Sequence, residues 1–229
     1  IQKMSNDLKY WVGFAKIPTI GPNRLQKLTK FFANLEQAWH APLSLLKQTG
    51  LEENVINQII AARPEIDLES ELEKLEQEQV KVVTLLDADY PRLLKEIYAS
   101  PPILFYRGIL PGADDFLLAV VGTRKFSVYG RQITVSLTRS LAEQGLTIVS
   151  GLALGIDSLA HNAALDVNGK TVAVLGCGVS QNDIYPVSNR QLAEKIIGRG
   201  GCVLSEHPLG TPPLKQHFPR RNRIIAGLS

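Results

Sequence analysis

The sequence predicts an α/β fold, a doubly wound and mostly parallel sheet preceded by a small all-helical domain. Three observations predict it. Residues 5–62 carry apolar side chains at helical spacing, short apolar runs alternate with amphipathic segments from Val80 onward, and glycine-rich turns follow several of those runs. We therefore expect a helical domain over residues 1–78 and a sheet domain over residues 79–229.

The helical domain, of SAM-like or helix-hairpin-helix type, is predicted from apolar spacing and from breaking residues. These predict helices over residues 5–15, 23–32, 42–49 and 51–62. A strongly acidic helix follows over residues 67–79. Because this last helix has few apolar positions, we expect it to be a solvated connector.

A short turn, Ile17-Pro-Thr-Ile-Gly-Pro22, separates the first two helices and outlines a helix-hairpin-helix unit. Such a turn can offer free backbone N–H groups to a nucleic-acid phosphate. A plain turn within a helical bundle is equally compatible with so short a motif. The sequence leaves both interpretations open.

The sheet domain is predicted from a regular alternation of apolar runs and amphipathic segments. Strands are expected over residues 80–86, 103–106, 116–122, 146–150, 171–176 and 202–205, and helices over residues 93–97, 127–144, 156–167, 188–197 and 219–227. The run 116–122 is typical of a fully buried strand. The helix over 127–144 carries Ile133, Leu137 and Leu141 on one face, which we expect to pack inward.

Parallel strands joined by right-handed crossovers place the turns after their carboxyl ends along one edge of the sheet. Arg124, Gly151, Gly176, Gly178 and Glu206 each follow a predicted strand and should share this edge. A guanidinium can bind two phosphate oxygens at once, and a strand-to-helix turn favours an anion. The pattern therefore predicts a phosphate pocket that contains Arg124.

A second cluster of suitable side chains lies in the segment His217-Phe-Pro-Arg-Arg-Asn-Arg223. Its ring can stack on a base while its cations follow a nucleic-acid backbone. The alternative is a solvated basic helix start. Because arginine at a helix N-terminus opposes the helix dipole, its placement favours an anionic ligand.

Nucleotide enzymes of two common kinds are disfavoured by the motifs. The turn Gly122-Thr-Arg-Lys-Phe-Ser-Val-Tyr-Gly130 does not match G-x-G-x-x-G, and the chain has no G-x-x-x-x-G-K-[ST] run. The tripeptide Gly169-Lys170-Thr171 opens a strand instead of a helix. Lys170 is therefore either a charge at a strand start or a phosphate contact.

Catalytic and metal-binding constellations are also lacking in the sequence, and we predict no catalytic residue, no metal and no cofactor. His161 is expected to be a packed or capping histidine, and Asp157 a cap of the helix that it begins. Glu206 is the best acid candidate but has no visible partner. Cys177 and Cys202, the two cysteines, lie in apolar contexts and are expected to be buried small hydrophobes.

Charge and hydropathy add two further expectations. The formal net charge is only +3, so the basic cluster over residues 215–223, which contains Lys215, indicates a local anion site. The sequence shows no apolar run long enough to span a bilayer and no secretory leader, so we expect a cytoplasmic protein.

An ordered set of motifs over about residues 80–228 resembles the DprA/Smf family of DNA-processing proteins. The motifs are Asp89-Tyr-Pro91 with Pro101-Pro102 and Leu104-Phe-Tyr-Arg-Gly108, Val121-Gly-Thr-Arg124, Ser150-Gly-Leu-Ala-Leu-Gly-Ile-Asp157 followed by Ala160-His161, Ala173-Val-Leu-Gly-Cys-Gly178, Tyr185-Pro186 with Asn189, Leu204-Ser-Glu206, and Phe218-Pro-Arg-Arg-Asn-Arg-Ile224.

The resemblance implies an extended Rossmann-like domain that binds single-stranded DNA without being an enzyme. It also implies a homodimer that protects incoming DNA and loads the RecA recombinase during natural transformation. Many relatives carry a C-terminal winged-helix domain, which is absent from this sequence, and we expect that the sheet domain continues beyond Ser229 or that a further domain follows it.

The site residues follow from the residue patterns together with the resemblance. The predicted contacts to single-stranded DNA or phosphate are Thr123, Arg124, Ser150, Gly151, Leu152, Lys170, Gly176, Gly178, Asn189, Phe218, Arg220, Arg221, Asn222 and Arg223.

Two other functions remain open from the sequence. A phosphoribohydrolase-like enzyme could hydrolyse a nucleotide phosphate on the same edge with Glu206 as acid or nucleophile, although the chain lacks the Pro-Gly-Gly-x-Gly-Thr run of such enzymes. An interaction scaffold could instead use the helical region 5–62 as its partner surface.

Overall fold

The computed structural model describes residues 5–229. These residues form two compact units, of which the first ends at Gln79 and the second begins at Val80. The first four residues of the predicted helical domain lie outside the described residues.

The first unit is built from helices alone. Its elements are α1 (Ser5–Ala15), α2 (Pro22–Phe31), α3 (Leu35–His40), α4 (Leu43–Leu46), a 3-10 turn (Lys47–Thr49), α5 (Glu53–Ala62), a second 3-10 turn (Arg63–Glu65) and α6 (Leu68–Gln77). Buried aromatic and aliphatic side chains, among them Phe14, Leu28 and Trp39, form its core. Gly50 ends the 3-10 turn in the left-handed region, at φ +72°, as glycine most readily does.

Helix α6 corrects the expectation of a solvated connector. It packs against α1 within the helical unit, and Leu75 is buried. The Glu71 carboxylate pairs with Lys16 at 3.0 Å and with Lys74 at 2.7 Å. Two cations offset the desolvation of this largely buried acid, so an acidic helix can have a packed face.

The second unit contains one six-stranded sheet with helices on both faces. Its strands are β1 (Lys81–Thr84), β2 (Ile103–Gly108), β3 (Leu117–Ala119), β4 (Thr147–Ser150), β5 (Thr171–Val174) and β6 (Cys202–Ser205), and its helices are α7 (Arg92–Glu96), α8 (Val128–Glu143), α9 (Ile156–Asp166), α10 (Arg190–Gly198) and α11 (His217–Gly227). The strand order is β1-β2-β6-β5-β4-β3.

The strands β3, β4, β5 and β6 are mutually parallel, and β2 and β1 extend the sheet in antiparallel fashion. Helices α8, α9 and α10 follow one another along one face of the sheet. Helices α11 and α7 cover the other face, where Ile224, Ile225 and Leu94 pack on strand residues such as Val172 and Leu204. The prediction of a mostly parallel α/β sheet preceded by helices is confirmed.

The outer strand β3 differs from its prediction. It has three residues instead of seven, and the flanking Phe116 and Val121 are 78% and 57% exposed. The cause is its position at the edge of the sheet, where it pairs only with β4. A run that is apolar throughout does not distinguish a central strand from such an edge strand.

Helix α8 packs inward with only one of the three predicted residues, Leu141, which is partly buried against the core. Ile133 and Leu137 are 46% and 55% exposed, whereas Thr138 and Ala142 are buried. The small side chains allow close packing of α8 on α9 and β4. None of the described helices has both the length and the apolar character that crossing a membrane requires.

Candidate nucleic-acid interface

The turns that follow the parallel strands meet at one edge of the sheet, as the topology requires. We call this the carboxyl edge. It brings together the loops that contain Arg124, Gly151, Gly176 and Glu206, together with the start of α11. The predicted clustering of these loops is present in the structure.

Arg124 lies exposed on the loop between β3 and α8. Its guanidinium carbon is 6.0 Å from the centre of the Phe218 ring. No carboxylate of the described residues 5–229 forms an ion pair with it. A cation held against an aromatic face and left without a counter-ion can bind an external anion.

The Phe218 ring is half-buried at the start of α11. It also neighbours the Tyr185 ring, with ring centres 6.0 Å apart and planes tilted by 48°. Gly176 permits this position, because a Cβ there would lie 3.2 Å from a Phe218 ring carbon. Gly176 therefore acts by leaving space for the ring, and Gly178 likewise leaves space for the Asp183 carboxylate.

Two adjacent arginines at the start of α11 point in opposite directions. Arg220 is exposed, as is Asn222. Arg221 is only 5% exposed and donates hydrogen bonds to the carbonyls of Gly151, at 2.8 Å, and Val174. The prediction that Arg221 contacts DNA is corrected, because its guanidinium is buried and hydrogen-bonded to the ends of β4 and β5.

Gly151 belongs to the same internal arrangement. A Cβ at this position would overlap the Arg221 guanidinium. Its N–H donates to the Asp157 carboxylate at 3.1 Å, and the N–H of Gly122 donates to the same carboxylate at 3.3 Å. Gly151 is buried and therefore supports the edge without reaching a ligand.

Asp157 thus ties two glycine turns together, which corrects its assignment as a cap of α9. The residue that precedes α9 is Gly155, at φ +92°. Burial raises the pKa of the Asp157 carboxyl, while Arg221 and the backbone N–H donors oppose that shift. The N–H groups of Gly122 and Gly151 therefore already have an internal acceptor and are not free to bind an external anion.

Three further predicted contacts are internal. The Ser150 hydroxyl is buried and donates to the Val120 carbonyl at 2.6 Å. The Asn189 side-chain amide donates to the Leu152 carbonyl at 2.8 Å and to the Ser158 hydroxyl at 2.9 Å. Ser150, Leu152 and Asn189 therefore position loops, which corrects their assignment as ligand contacts.

Arg223 and Glu206 form an ion pair at 2.5 Å. The Glu206 side chain is 13% exposed, and burial raises the pKa of its carboxyl. The neighbouring His207 stacks on His217 with ring centres 4.1 Å apart, and burial lowers the pKa of His207 to about 4. Arg223 is thus a partner of Glu206 that the sequence did not reveal. The ion pair makes Glu206 a weaker candidate for a free acid or nucleophile. It also leaves Arg223 unavailable as a cation for a ligand.

Lys170 is the one predicted contact that lies away from this edge. It precedes the first residue of β5 and therefore sits at the amino end of the parallel strands. Its ammonium is 3.5 Å from the Asp115 carboxylate. Of its two interpretations, the charge at a strand start is the one that the structure supports.

Five predicted contacts at the carboxyl edge are exposed or half-exposed and have no ion pair among the described residues. We call them the carboxyl-edge surface, and they are Thr123, Arg124, Phe218, Arg220 and Asn222. The Thr123 hydroxyl exchanges hydrogen bonds of 3.1 Å with the backbone of Lys125, so it shapes the loop that presents Arg124. Lys125 is itself exposed and adds a cation that the prediction omitted.

Tyr185 is the residue at this edge that the sequence did not assign to the site. It was visible only as part of the Tyr185-Pro186 motif, and its ring is 44% exposed beside Phe218. Aromatic character in a loop after a strand was the available signal, and the tertiary pairing with Phe218 was not visible in the sequence.

The remaining candidates behave as structural residues. His161 is fully buried, with its Nδ1 2.7 Å from the Thr171 hydroxyl oxygen, as expected for a packed histidine. Cys177 and Cys202 are buried, and burial raises the pKa of the Cys177 thiol to about 11. Within the described part of the chain, no group of histidine, cysteine and acidic side chains is arranged to hold a metal ion.

Comparison with known proteins gives a consistent family. The family model of DNA recombination-mediator protein A matches residues 81–229. Protein Smf of Synechocystis sp. is 41% identical over 235 residues, which cover 98% of this chain and 57% of that protein. The chain spans a similar share, 58%, of Protein Smf of Escherichia coli.

Two solved structures are similar. DNA processing protein A of Streptococcus pneumoniae has a TM-score of 0.77 at 36% identity, covering 96% of this chain and 75% of that one. DNA processing protein A of Helicobacter pylori, which has a unique single-stranded DNA binding mode, has a TM-score of 0.55 at 31% identity, covering 66% of this chain and 67% of that one.

Proposed function

The chain belongs to the DNA recombination-mediator protein A family, and we propose on that premise that it binds single-stranded DNA as a mediator of recombination. The observation that carries the proposal is the exposed Arg124 guanidinium, unpaired within residues 5–229 and held against the Phe218 ring. A cation beside a ring suits a ligand that alternates phosphates and bases.

The other exposed groups support a backbone-following mode. Lys125, on the loop before α8, and Arg220, in the first turn of α11, are both exposed at the same edge. Arg221 and Arg223 are engaged internally. Cations separated in this way can contact successive phosphates of one strand. Affinity therefore arises from a few side chains, and we expect little sequence preference because none of these contacts selects a base.

We propose the wider role from the family alone. In it the protein is a cytoplasmic homodimer that protects incoming single-stranded DNA and delivers it to the RecA recombinase during natural transformation. No cofactor is required in this role. The chain spans little more than half of the curated relatives Protein Smf of Synechocystis sp. and Escherichia coli, so partner binding is tested on the longest available form.

The first test is a fluorescence-anisotropy titration of labelled oligo-dT at two salt concentrations. Arg124→Ala should weaken binding about tenfold and reduce the salt dependence by about one phosphate contact. Lys170→Ala is the matched control, because it also removes an exposed cation of the second unit but lies at the opposite edge of the sheet. It should change the affinity by less than about twofold.

Either of two results contradicts this proposal. The unaltered protein could show no salt-sensitive binding of oligo-dT, or Arg124→Ala and Lys170→Ala could have equal effects. The second result would move the binding surface away from the carboxyl edge.

A further inference from the structure

Tyr185 presents an aromatic face that no interaction within the described residues explains. Its ring is 44% exposed on the loop between β5 and α10, and its one ring contact is with Phe218, at 6.0 Å and a tilt of 48°. Rings at this tilt are not stacked face to face, and the 44% exposure of Tyr185 leaves part of its ring surface open to solvent. Exposed aromatic rings beside free cations are typical of single-strand binding surfaces.

The loop that carries Tyr185 is held in place from inside. Ile184, the preceding residue, is 1% exposed, its N–H donates to the Ser180 carbonyl at 3.2 Å, and its carbonyl accepts from Arg190 Nε at 3.3 Å. The ring is therefore presented from a fixed backbone. A pre-positioned ring loses little conformational entropy when a ligand stacks on it.

We propose that Tyr185 is a base-stacking residue that gives this surface its preference for single strands. An unpaired base stacks on the open face of Tyr185, Phe218 supports the ring from its other side, and Arg124 holds a nearby phosphate. Arg124 and Tyr185 each lie 6.0 Å from the Phe218 ring, so the three groups form one continuous surface. This inference rests on the proposed function.

Two other exposed side chains at the carboxyl edge are apolar and suit a base better than a second phosphate. Val187 and Leu154, from the same and the adjacent loop of the carboxyl edge, are 62% and 49% exposed. Apolar flanks favour the face of a base and disfavour a hydrated anion. In a duplex the faces of the bases are covered by their neighbours, so only an unpaired strand can use this contact, whereas Arg124 and Arg220 can bind phosphates of either form.

The test compares three substitutions on three probes. Tyr185→Leu removes the ring while keeping an apolar side chain, and Tyr185→Phe keeps the ring. Tyr98→Leu is the control, because Tyr98 is 90% exposed and has no ring partner among the described residues. The probes are oligo-dT, an abasic strand of equal length, and the corresponding duplex. Thermal unfolding of each variant establishes that it is folded.

We expect Tyr185→Leu to weaken binding of oligo-dT about tenfold and to leave the abasic strand and the duplex within about twofold. Tyr185→Phe and Tyr98→Leu should bind all three probes like the unaltered protein. A second readout is photocrosslinking with 5-iododeoxyuridine, which reacts with rings stacked on the base. The crosslinked peptides should contain Tyr185 or Phe218.

The outcomes separate this inference from the proposed function. If the unaltered protein does not bind oligo-dT, the proposed function fails. Two outcomes overturn only the stacking role while binding still depends on Arg124. In the first, Tyr185→Leu weakens binding of the abasic strand as much as binding of oligo-dT. In the second, Tyr185→Leu has no effect and the unaltered protein gives no crosslink at Tyr185. A folded Tyr185→Phe variant that binds as poorly as Tyr185→Leu also overturns it.

Discussion

Neighbouring residues of the same type have opposite roles at the start of α11. Successive residues of a helix are rotated by about 100°, so Arg220 faces solvent while Arg221 faces the sheet. Burial lowers the pKa of Arg221, and Asp157 opposes that shift. Arg221 stabilises the fold by donating hydrogen bonds to two carbonyls at strand ends, those of Gly151 and Val174. Without Arg221 these buried carbonyls would lose this donor.

The two arginines therefore serve as controls for each other. Arg221→Met should lower the free energy of unfolding by about 3 kcal/mol. The substitution leaves the two buried carbonyls without this donor and the Asp157 carboxyl without its positively charged neighbour. Arg220→Ala should change stability by less than about 0.5 kcal/mol and weaken oligo-dT binding. Both tryptophans, Trp11 and Trp39, lie in the helical unit, so unfolding of the second unit is followed by circular dichroism.

Equal destabilisation by the two substitutions would show that Arg221 is not a structural anchor. Loss of DNA binding by a fully stable Arg221→Met variant would return Arg221 to the ligand contacts.

At the scale of elements, the sequence predicted strands and helices correctly where the spacing of apolar residues and the positions of glycine and proline agree. The strand Cys202–Ser205 and the helix Ser5–Ala15 occur as predicted, because the apolar spacing of each is unambiguous. Helix α3, Leu35–His40, was missed although Asn34 caps it with a 2.9 Å hydrogen bond from the Gln37 N–H. A cap preceding a short helix is a weak signal unless periodicity accompanies it.

Helix α8 shows what periodicity cannot decide. Of its predicted apolar face, Ile133 and Leu137 are exposed and only Leu141 packs on the core, while Thr138 and Ala142 are buried. Packing on α9 selects the small residues, and that choice depends on the neighbour and not on α8 itself. For the same reason, the sequence could place the candidate site residues other than Lys170 along the carboxyl edge but could not separate exposed side chains from those that hold the loops.

The contact between α9 and β5 predicts a pH dependence of stability. The Thr171 hydroxyl donates to the Ile148 carbonyl at 2.7 Å, so it can only accept from His161 Nδ1, which must carry a hydrogen. Nε2 is then bare and has no partner among the described residues. Burial lowers the pKa of His161 to about 3 from an ordinary value of 6.5.

Because the pKa of His161 is lowered in the folded state, only the unfolded chain binds this proton between about pH 3 and pH 6.5. The contribution of neutral His161 to the free energy of unfolding is therefore complete above pH 6.5 and falls as the pH drops below it. From pH 7.5 to pH 5.5, His161 should cost about 1.4 kcal/mol. His161→Gln should lose that part of the pH slope in denaturant titrations followed by circular dichroism. An unchanged slope would contradict the assignment, and His40→Gln, an exposed histidine of the other unit, is the control.

At the scale of the whole molecule, the exposed basic groups of the two units differ in availability. Beside the hairpin between α1 and α2, Arg24 forms an ion pair with Glu52 at 3.2 Å and Lys27 donates to the Gly50 carbonyl at 2.7 Å. At the carboxyl edge of the second unit, Arg124 and Arg220 have no ion pair within the described residues. Arg24 and Lys27 are thus engaged within the helical unit, which leaves them less available to a phosphate than Arg124 and Arg220.

We therefore expect residues 80–229 alone, once shown to be folded by circular dichroism, to bind oligo-dT within about threefold of the full chain. The carboxyl-edge surface and Tyr185 both lie inside this unit, so removal of the helical unit removes none of the proposed contacts. A folded fragment that binds more than about tenfold more weakly would revive the helix-hairpin-helix interpretation of Ile17–Pro22. In that case Arg24→Ala in the full chain should reproduce the loss, whereas under our proposal it leaves the affinity unchanged.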